Sequence, residues 1–309
     1  MILNTGKKIA IKFSLALTLF LTSCGPNSQL GNIGNSILSS TGYGGSLDMN
    51  SVLKAGNDIS KASRGLDEQQ EYYLGRGVAA VILQKYPLYK NAELTRYVNR
   101  VAQTVGRFSD RPELWGGYRV GILDTAEINA VSAPGGFIFI SRGFLKIIPN
   151  EDALAAVMAH EIAHIVKGHG TAAIAQANIT QALTSLGKEV VASEGGSVTQ
   201  LVTGVFGDSI KDVTNTLLTK GYSRSQEYEA DEYAAKLTTK VGYDAQGLIT
   251  MLKSLKELKS EGGWFTTHPA PEKRERNIVS EIPVASSDML AAEKIRTVRY
   301  LAAVKPLLK

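Results

Sequence analysis

The chain is poor in the residues that most often staple a small protein or cage a metal. One cysteine, Cys24, stands in 309 residues, so no intramolecular disulfide forms and no thiolate cage can be built. Any metal must be held by histidine, aspartate or glutamate, and histidine is scarce as well, with four in the chain. A strong excess of one charge is missing too. The formal net charge is +5, but Lys7, Lys8 and Lys12 lie in the first 23 residues and the remainder carries +2. That is too balanced for a nucleic-acid surface. Beyond the N terminus no hydrophobic run is long enough to cross a membrane, and no internal repeat or strong second-domain boundary is visible. What is present is 44% hydrophobic and 20% charged, the composition of a packed globular body and not of a disordered or collagen-like chain.

The first residues read as an address. Lys7 and Lys8 precede an apolar run from Ile9 to Leu21, interrupted by Lys12 and followed by small residues; this is the layout of a secretory leader over residues 1–23. Leu21-Thr22-Ser23-Cys24 resembles the bacterial lipobox, which makes Cys24 the lipidated first residue of the mature chain. The alternative is an ordinary leader followed by a stray thiol. Several acyl chains on one residue give stable anchoring. Gly25 after the cysteine, in place of Asp, resembles the sorting signal for the outer membrane, with the body facing the periplasm. Residues 24–50 are rich in Gly, Ser and Asn, as in a flexible tether, and residues 51–309 are expected to form a single domain.

In that body the apolar spacing predicts helices over Asp67 to Tyr86 and Asn91 to Arg107. Tyr118 to Leu123 alternates as a strand does, and Phe137 to Ile140 is a short β-prone run entered through Pro134-Gly135-Gly136. Asn150 is a suitable cap for a helix carrying Glu151 and Asp152 in its first turn, with Gly168 and Gly170 at its end. Helical spacing returns over Ala172 to Ala192, Val198 to Leu218, Gln226 to Lys240, Ala245 to Lys259 and near the C terminus. The expected class is α+β, mostly helical with a small sheet.

The chemistry concentrates in His160-Glu161-Ile162-Ala163-His164. Two imidazoles four apart on a helix share one face and can reach one metal ion, while Glu161 is turned about 100° toward its open side. Four histidines would produce this pattern by chance with a probability of roughly 0.005. A catalytic zinc site needs a third protein ligand and a place for water. His169 follows His164 by five positions and suits a ligand poorly; a structural or orienting role is its other reading. Glu227 and Asp231 stand four apart on a predicted helix. One can bind the metal while the other receives a ligand histidine's second ring proton, or both can belong to a solvated acidic face.

Taken together, Asn129-Ala130, Pro134-Gly135-Gly136, the His160 to His164 motif, Glu227-x-x-Ala230-Asp231 and His268-Pro269 resemble, in order, the gluzincin metallopeptidase family of the CAAX prenyl protease and HtpX type. The likeness runs from about Asp67 to Ile278 and is nearest to the soluble, lipid-anchored members such as BepA and LoiP. It implies a zincin-like fold with the small sheet packed on the HExxH helix. It also implies Zn2+ held by His160, His164 and Glu227, Glu161 as general base, and Asp231 as the carboxylate behind a ligand histidine. Asn129 is implied as a structural or substrate-cleft residue, with Gly136 and Phe137 in the cleft; Phe137 to Ile140 itself reads as an edge strand to which an extended peptide adds. His268 lies near the zinc in such relatives, capping it at rest or assisting catalysis; its alternative is to anchor a loop. Arg274 either pairs with a site acid or belongs to the charged surface run Glu272 to Arg276.

The function that follows is a membrane-anchored periplasmic zinc metalloendopeptidase acting on misfolded or envelope proteins. A lipoprotein chaperone or assembly factor for outer-membrane proteins, built on the same fold and meeting their assembly machinery, is the second reading. A zinc hydrolase of cell-wall peptide or another amide is a third. Residues 170–222 read as ordinary helix packing or as a lid over the cleft.

Overall fold

A computed structural model describes residues 66–176, 211, 214–258 and 264–308. The expected leader, Cys24 and the tether lie outside the described residues, as do most of the two helices expected between Ala172 and Leu218.

Helices start where their caps predict. Asp67 accepts from the Gln70 amide at 2.8 Å and Gln70 reciprocates, a capping box that opens α1 (Glu68–Lys85). Asn91 caps α2 (Ala92–Gly106), in which Leu94, Val98, Val101, Ala102 and Val105 form one buried stripe. Three strands follow: β1 (Arg119–Leu123), β2 (Ala130–Ala133) and β3 (Phe137–Ser141).

Their order, β1-β3-β2, corrects the expected edge strand: β3 is central, parallel to β1 and antiparallel to β2. The reason lies in its composition. Ile138, Phe139 and Ile140 are all buried, so both faces of β3 are covered and its backbone needs partners on both sides. The edges are β1, met on its outer side by an isolated bridge to Leu88, and β2, whose Ala-Val-Ser-Ala sequence has neither alternation nor β-branched density to announce a strand. The β2–β3 turn is pressed against α1, since a Cβ on Gly75 would stand 1.9 Å from the Pro134 carbonyl oxygen.

After α3 (Arg142–Ile147), Asn150 accepts from the Ala153 amide at 2.8 Å and opens α4 (Glu151–Val166). Every residue of α4 from Glu151 to Ile165 is buried, because β2, α2, α6 (Arg224–Val241), α7 (Gln246–Lys256) and α10 (Ser287–Val304) all pack on it. Gly168, at φ +69°, ends α4 and turns the chain into α5 (His169–Gln176). Gly170 lies inside α5 and is not part of the stop. Helices α8 (Trp264–Thr267) and α9 (Pro271–Ile278) lie between α7 and α10.

The acids in the first turn of α4 fasten the surrounding layer. Glu151 accepts from Tyr97 at 2.7 Å and Tyr243 at 2.9 Å and is paired with Arg299, while Asp152 is paired with Arg296 at 2.8 Å. The α+β, mostly helical class is as expected, and no described helix is long and apolar enough to cross a membrane.

Candidate metal centre

Helix α4 places His160 and His164 on one face with their Nε2 atoms 3.2 Å apart. Glu227, in the first turn of α6, comes to them from 60-odd residues along the chain, Oε2 at 3.5 Å from His160 Nε2 and Oε1 at 3.5 Å from His164 Nε2. All three side chains are buried. Ligands about 2.0–2.1 Å from a tetrahedral zinc stand about 3.3–3.4 Å from one another; the two imidazole nitrogens are close to that spacing, and the Glu227 carboxylate offers one oxygen to each of them. Both Glu227 oxygens are buried without a hydrogen-bond donor among the described residues, a cost that a cation removes. The donor set fits zinc.

His268, following α8, joins the group. Its Nδ1 is 3.5 Å from Glu227 Oε2, and its donor, with those of His160 and Glu227, falls within a 4.8 Å cluster. Neither of its ring nitrogens has a hydrogen-bond partner among the described residues. Trp264 meets its ring edge-on at 3.6 Å between centroids.

The outer side of His160 is fixed by a buried ion pair. Asp231, one turn beyond Glu227 on α6, lies 3.1 Å from His160 Nδ1 and receives both Nε and Nη2 of Arg274, at 2.8 and 2.6 Å. Arg274 Nη2 also stands 3.2 Å from His160 Nδ1; a guanidinium only donates, so Asp231 is the acceptor within reach of an Nδ1 proton, and the tautomer that uses it leaves the His160 Nε2 lone pair facing Glu227 and His164. Burial pushes the Asp231 carboxyl up, but Arg274 and His160 prevail and hold it at about 2. Burial also opposes charge on His160, yet Asp231 and Glu227 lift it to about 9. For His164, burial and the neighbouring imidazoles act together and hold it well below its ordinary range.

Glu161, beside His160 on α4, is 1% exposed. Burial is the largest influence on its carboxyl and pushes it up to about 7. Asn129, at the start of β2, is buried with an unpartnered side-chain oxygen and lines one recess with Glu161 and His268. Gly136 and Phe137 do not line that recess. A Cβ on Gly136 would stand 2.4 Å from the Gly117 carbonyl oxygen, and the Phe137 ring packs 5.4 Å from that of Tyr72 on α1. The turn that leads into β3 faces α1 and the chain before β1, and the recess is bordered by β2.

Two residues of the site were obscure in the sequence. Arg274 is fully buried and is not part of a surface run; the signal for this is that Pro271, Arg274 and Ile278 form the buried stripe of α9. Tyr222 stacks on His164 with centroids 4.1 Å apart and planes 20° apart, and no pattern in the sequence points to it. Leu217, Leu218, Gly221 and Tyr222 close the recess over Ala130 and Val131 of β2.

Residues 89–282, which hold every side chain of this centre, match the profile of Peptidase family M48. The chain is 23% identical over 240 residues to metalloprotease YcaL of Escherichia coli K12, covering 76% of this chain and 89% of that protein. It is 24% identical over 234 residues to metalloprotease LoiP of the same organism, with 75% and 88% covered. It is also 24% identical over 253 residues to that organism's beta-barrel assembly-enhancing protease. There the match takes in 77% of this chain but 50% of the relative, so the chain spans about half of that protein's length.

Proposed function

The chain belongs to Peptidase family M48 and is a metalloendopeptidase, and from that premise we propose a zinc enzyme, anchored through a lipidated Cys24 to the outer membrane, that cuts envelope proteins on the periplasmic side. The observation that carries the hydrolytic reading is the 3.2 to 3.5 Å spacing of the His160, His164 and Glu227 donors, with a Glu161 carboxyl beside them whose Oε1 has no hydrogen-bond partner among the described residues.

His160, His164 and Glu227 hold the ion, and Asp231 orients His160. When bound, zinc supplies Lewis acidity, polarising the scissile carbonyl and acidifying water. Glu161 accepts a proton from the water whose oxygen adds to the carbonyl carbon. It returns that proton to the nitrogen as the C–N bond breaks, leaving an amine and a carboxylate. A carboxyl lifted toward 7 by burial binds and releases a proton near neutrality, and a cation beside it favours the ionised, accepting form. The substrate lies extended along the outer edge of β2, where Asn129 offers its side-chain amide and the strand its outward backbone groups. Residues 217–222 cover that edge, so they move aside when a peptide enters.

His268, 3.5 Å from Glu227, would serve as a fourth donor at rest and keep the centre closed until substrate takes its place. That closure, and a relative named a beta-barrel assembly-enhancing protease, give weight to a second reading in which the chain also holds outer-membrane clients without cutting them. The variant Glu161→Gln separates the two. It is expected to retain zinc and lose peptide hydrolysis by about 10²- to 10⁴-fold, while trapping its substrates for identification by mass spectrometry. Hydrolysis at the parent rate by the pure variant removes Glu161 as the base; full rescue of a deletion strain by the same variant assigns the biological role to binding.

A further inference from the structure

His164 is held on its outer side by another imidazole where His160 has a carboxylate. Its Nδ1 lies 2.8 Å from Nδ1 of His169, the first residue of α5. On an unbroken helix two residues five apart diverge by about 140°. They meet here because Gly168, at φ +69°, breaks α4 between them in a conformation that favours glycine.

Two ring nitrogens at that distance share one proton, so one donates and the other accepts. The next contact decides which. His169 Nε2 stands 3.4 Å from Glu229 Oε2, and the other oxygen of Glu229 is 3.0 Å from Lys167 Nζ. An ionised carboxylate only accepts, so His169 carries its proton on Nε2 and its Nδ1 is bare. The proton in the 2.8 Å contact then belongs to His164 Nδ1. Its Nε2, 3.2 Å from His160 Nε2 and 3.5 Å from Glu227 Oε1, is left as a lone pair.

We propose that His169 is a positioning residue of the metal centre, fixing the tautomer and ring angle of His164 through its Nδ1 lone pair, and that Glu229 holds His169 in the accepting form. The inference rests on His164 being a zinc ligand. Tyr222 covers the face of the His164 ring and His169 takes its edge, so the ligand is restrained in both directions in which an imidazole swings. His169 is 5% exposed, which keeps water from replacing it as the acceptor. An orienting partner behind a ligand histidine is worth about 10- to 100-fold in metal affinity.

The test measures zinc affinity of the purified full chain by chelator competition and the visible spectrum of its cobalt-loaded form. His169→Leu is expected to weaken zinc binding about 10- to 100-fold and to change the cobalt spectrum. His169→Asn, whose carbonyl oxygen takes the place of Nδ1, is expected to restore most of both. Glu229→Leu weakens zinc binding in the parent and adds nothing further in the His169→Leu background, as members of one chain of bonds behave. Unchanged affinity in His169→Leu, or equal losses in the Leu and Asn variants, overturns the positioning role. Should His169→Leu not fold, the Asn and Glu229→Leu variants decide alone: a full loss in the former, or none in the latter, overturns it. A parent that binds no zinc, or a His164→Ala variant that binds it as tightly as the parent, instead overturns the metal centre itself.

Discussion

His268 is the residue whose chemistry is least committed by its neighbours. Both ring nitrogens are buried and unpartnered among the described residues, and it stands 3.5 Å from a carboxylate shared with His160 and His164. Three ligands suffice to hold zinc in a catalytic site, so His268→Ala is expected to keep its zinc and to cleave an unstructured peptide faster than the parent. Slower cleavage with zinc retained would move His268 from closing the site to assisting the reaction. At this scale legibility in the sequence follows local geometry. His160, Glu161 and His164 were readable because residues four apart on a helix share a face. Glu227 was readable only through its resemblance to a family pattern, since nothing local says that the start of α6 lies against α4. Arg274 was misleading because its charged neighbours hid the one position that turns inward.

Helix α4 owes its central position to an acid that looks, in sequence, like an ordinary first-turn residue. Burial pushes the Glu151 carboxyl up, but hydrogen bonds from Arg299, Tyr97 and Tyr243 outweigh it and lower its pKa. In the window below the ordinary glutamate range, near 4.3, the unfolded chain binds a proton that the native one does not. The stabilisation is therefore complete above that range and is lost as pH falls through the lowered native value. Urea unfolding of the parent and Glu151→Gln should differ most near neutrality and converge as the pH falls below about 4; a gap that widens in acid would refute the assignment. A second element-scale test concerns the cover over β2. Gly221, at φ +63°, leaves no room for a side chain: a Cβ would stand 1.7 Å from the Thr267 carbonyl oxygen. Gly221→Ala is expected to cost at least about 1–2 kcal/mol from its backbone alone and to open the recess, raising the cleavage rate of a short peptide. Unchanged stability and rate would show that residues 217–222 already move freely. Helix α4 is legible because Asn150 announces its start, and α1 and α2 because their apolar spacing does; the caps at Asp67 and Asn91 are visible in the structure. Strand β2 was not, because four small residues buried by tertiary packing carry no period, and with it went the identity of the sheet edge.

For the molecule as a whole, the fold gathers donors from α4, α6 and the end of α8 around one point and surrounds them with helices tied to the start of α4. The sequence shows the class of this arrangement and its metal chemistry, but the closure of the recess depends on contacts between segments far apart in the chain. The anchoring at Cys24 and the choice of envelope substrates belong to the proposal, and both are secondary to one claim: two imidazoles of α4 and one carboxylate of α6 hold a single zinc. Elemental analysis of the purified chain after refilling with zinc and removal of the excess tests that claim most directly. The parent and Glu161→Gln should each carry one zinc per chain, and His164→Ala and Glu227→Ala should carry almost none. A parent without zinc, or a Glu227→Ala variant that retains a full equivalent, would contradict it.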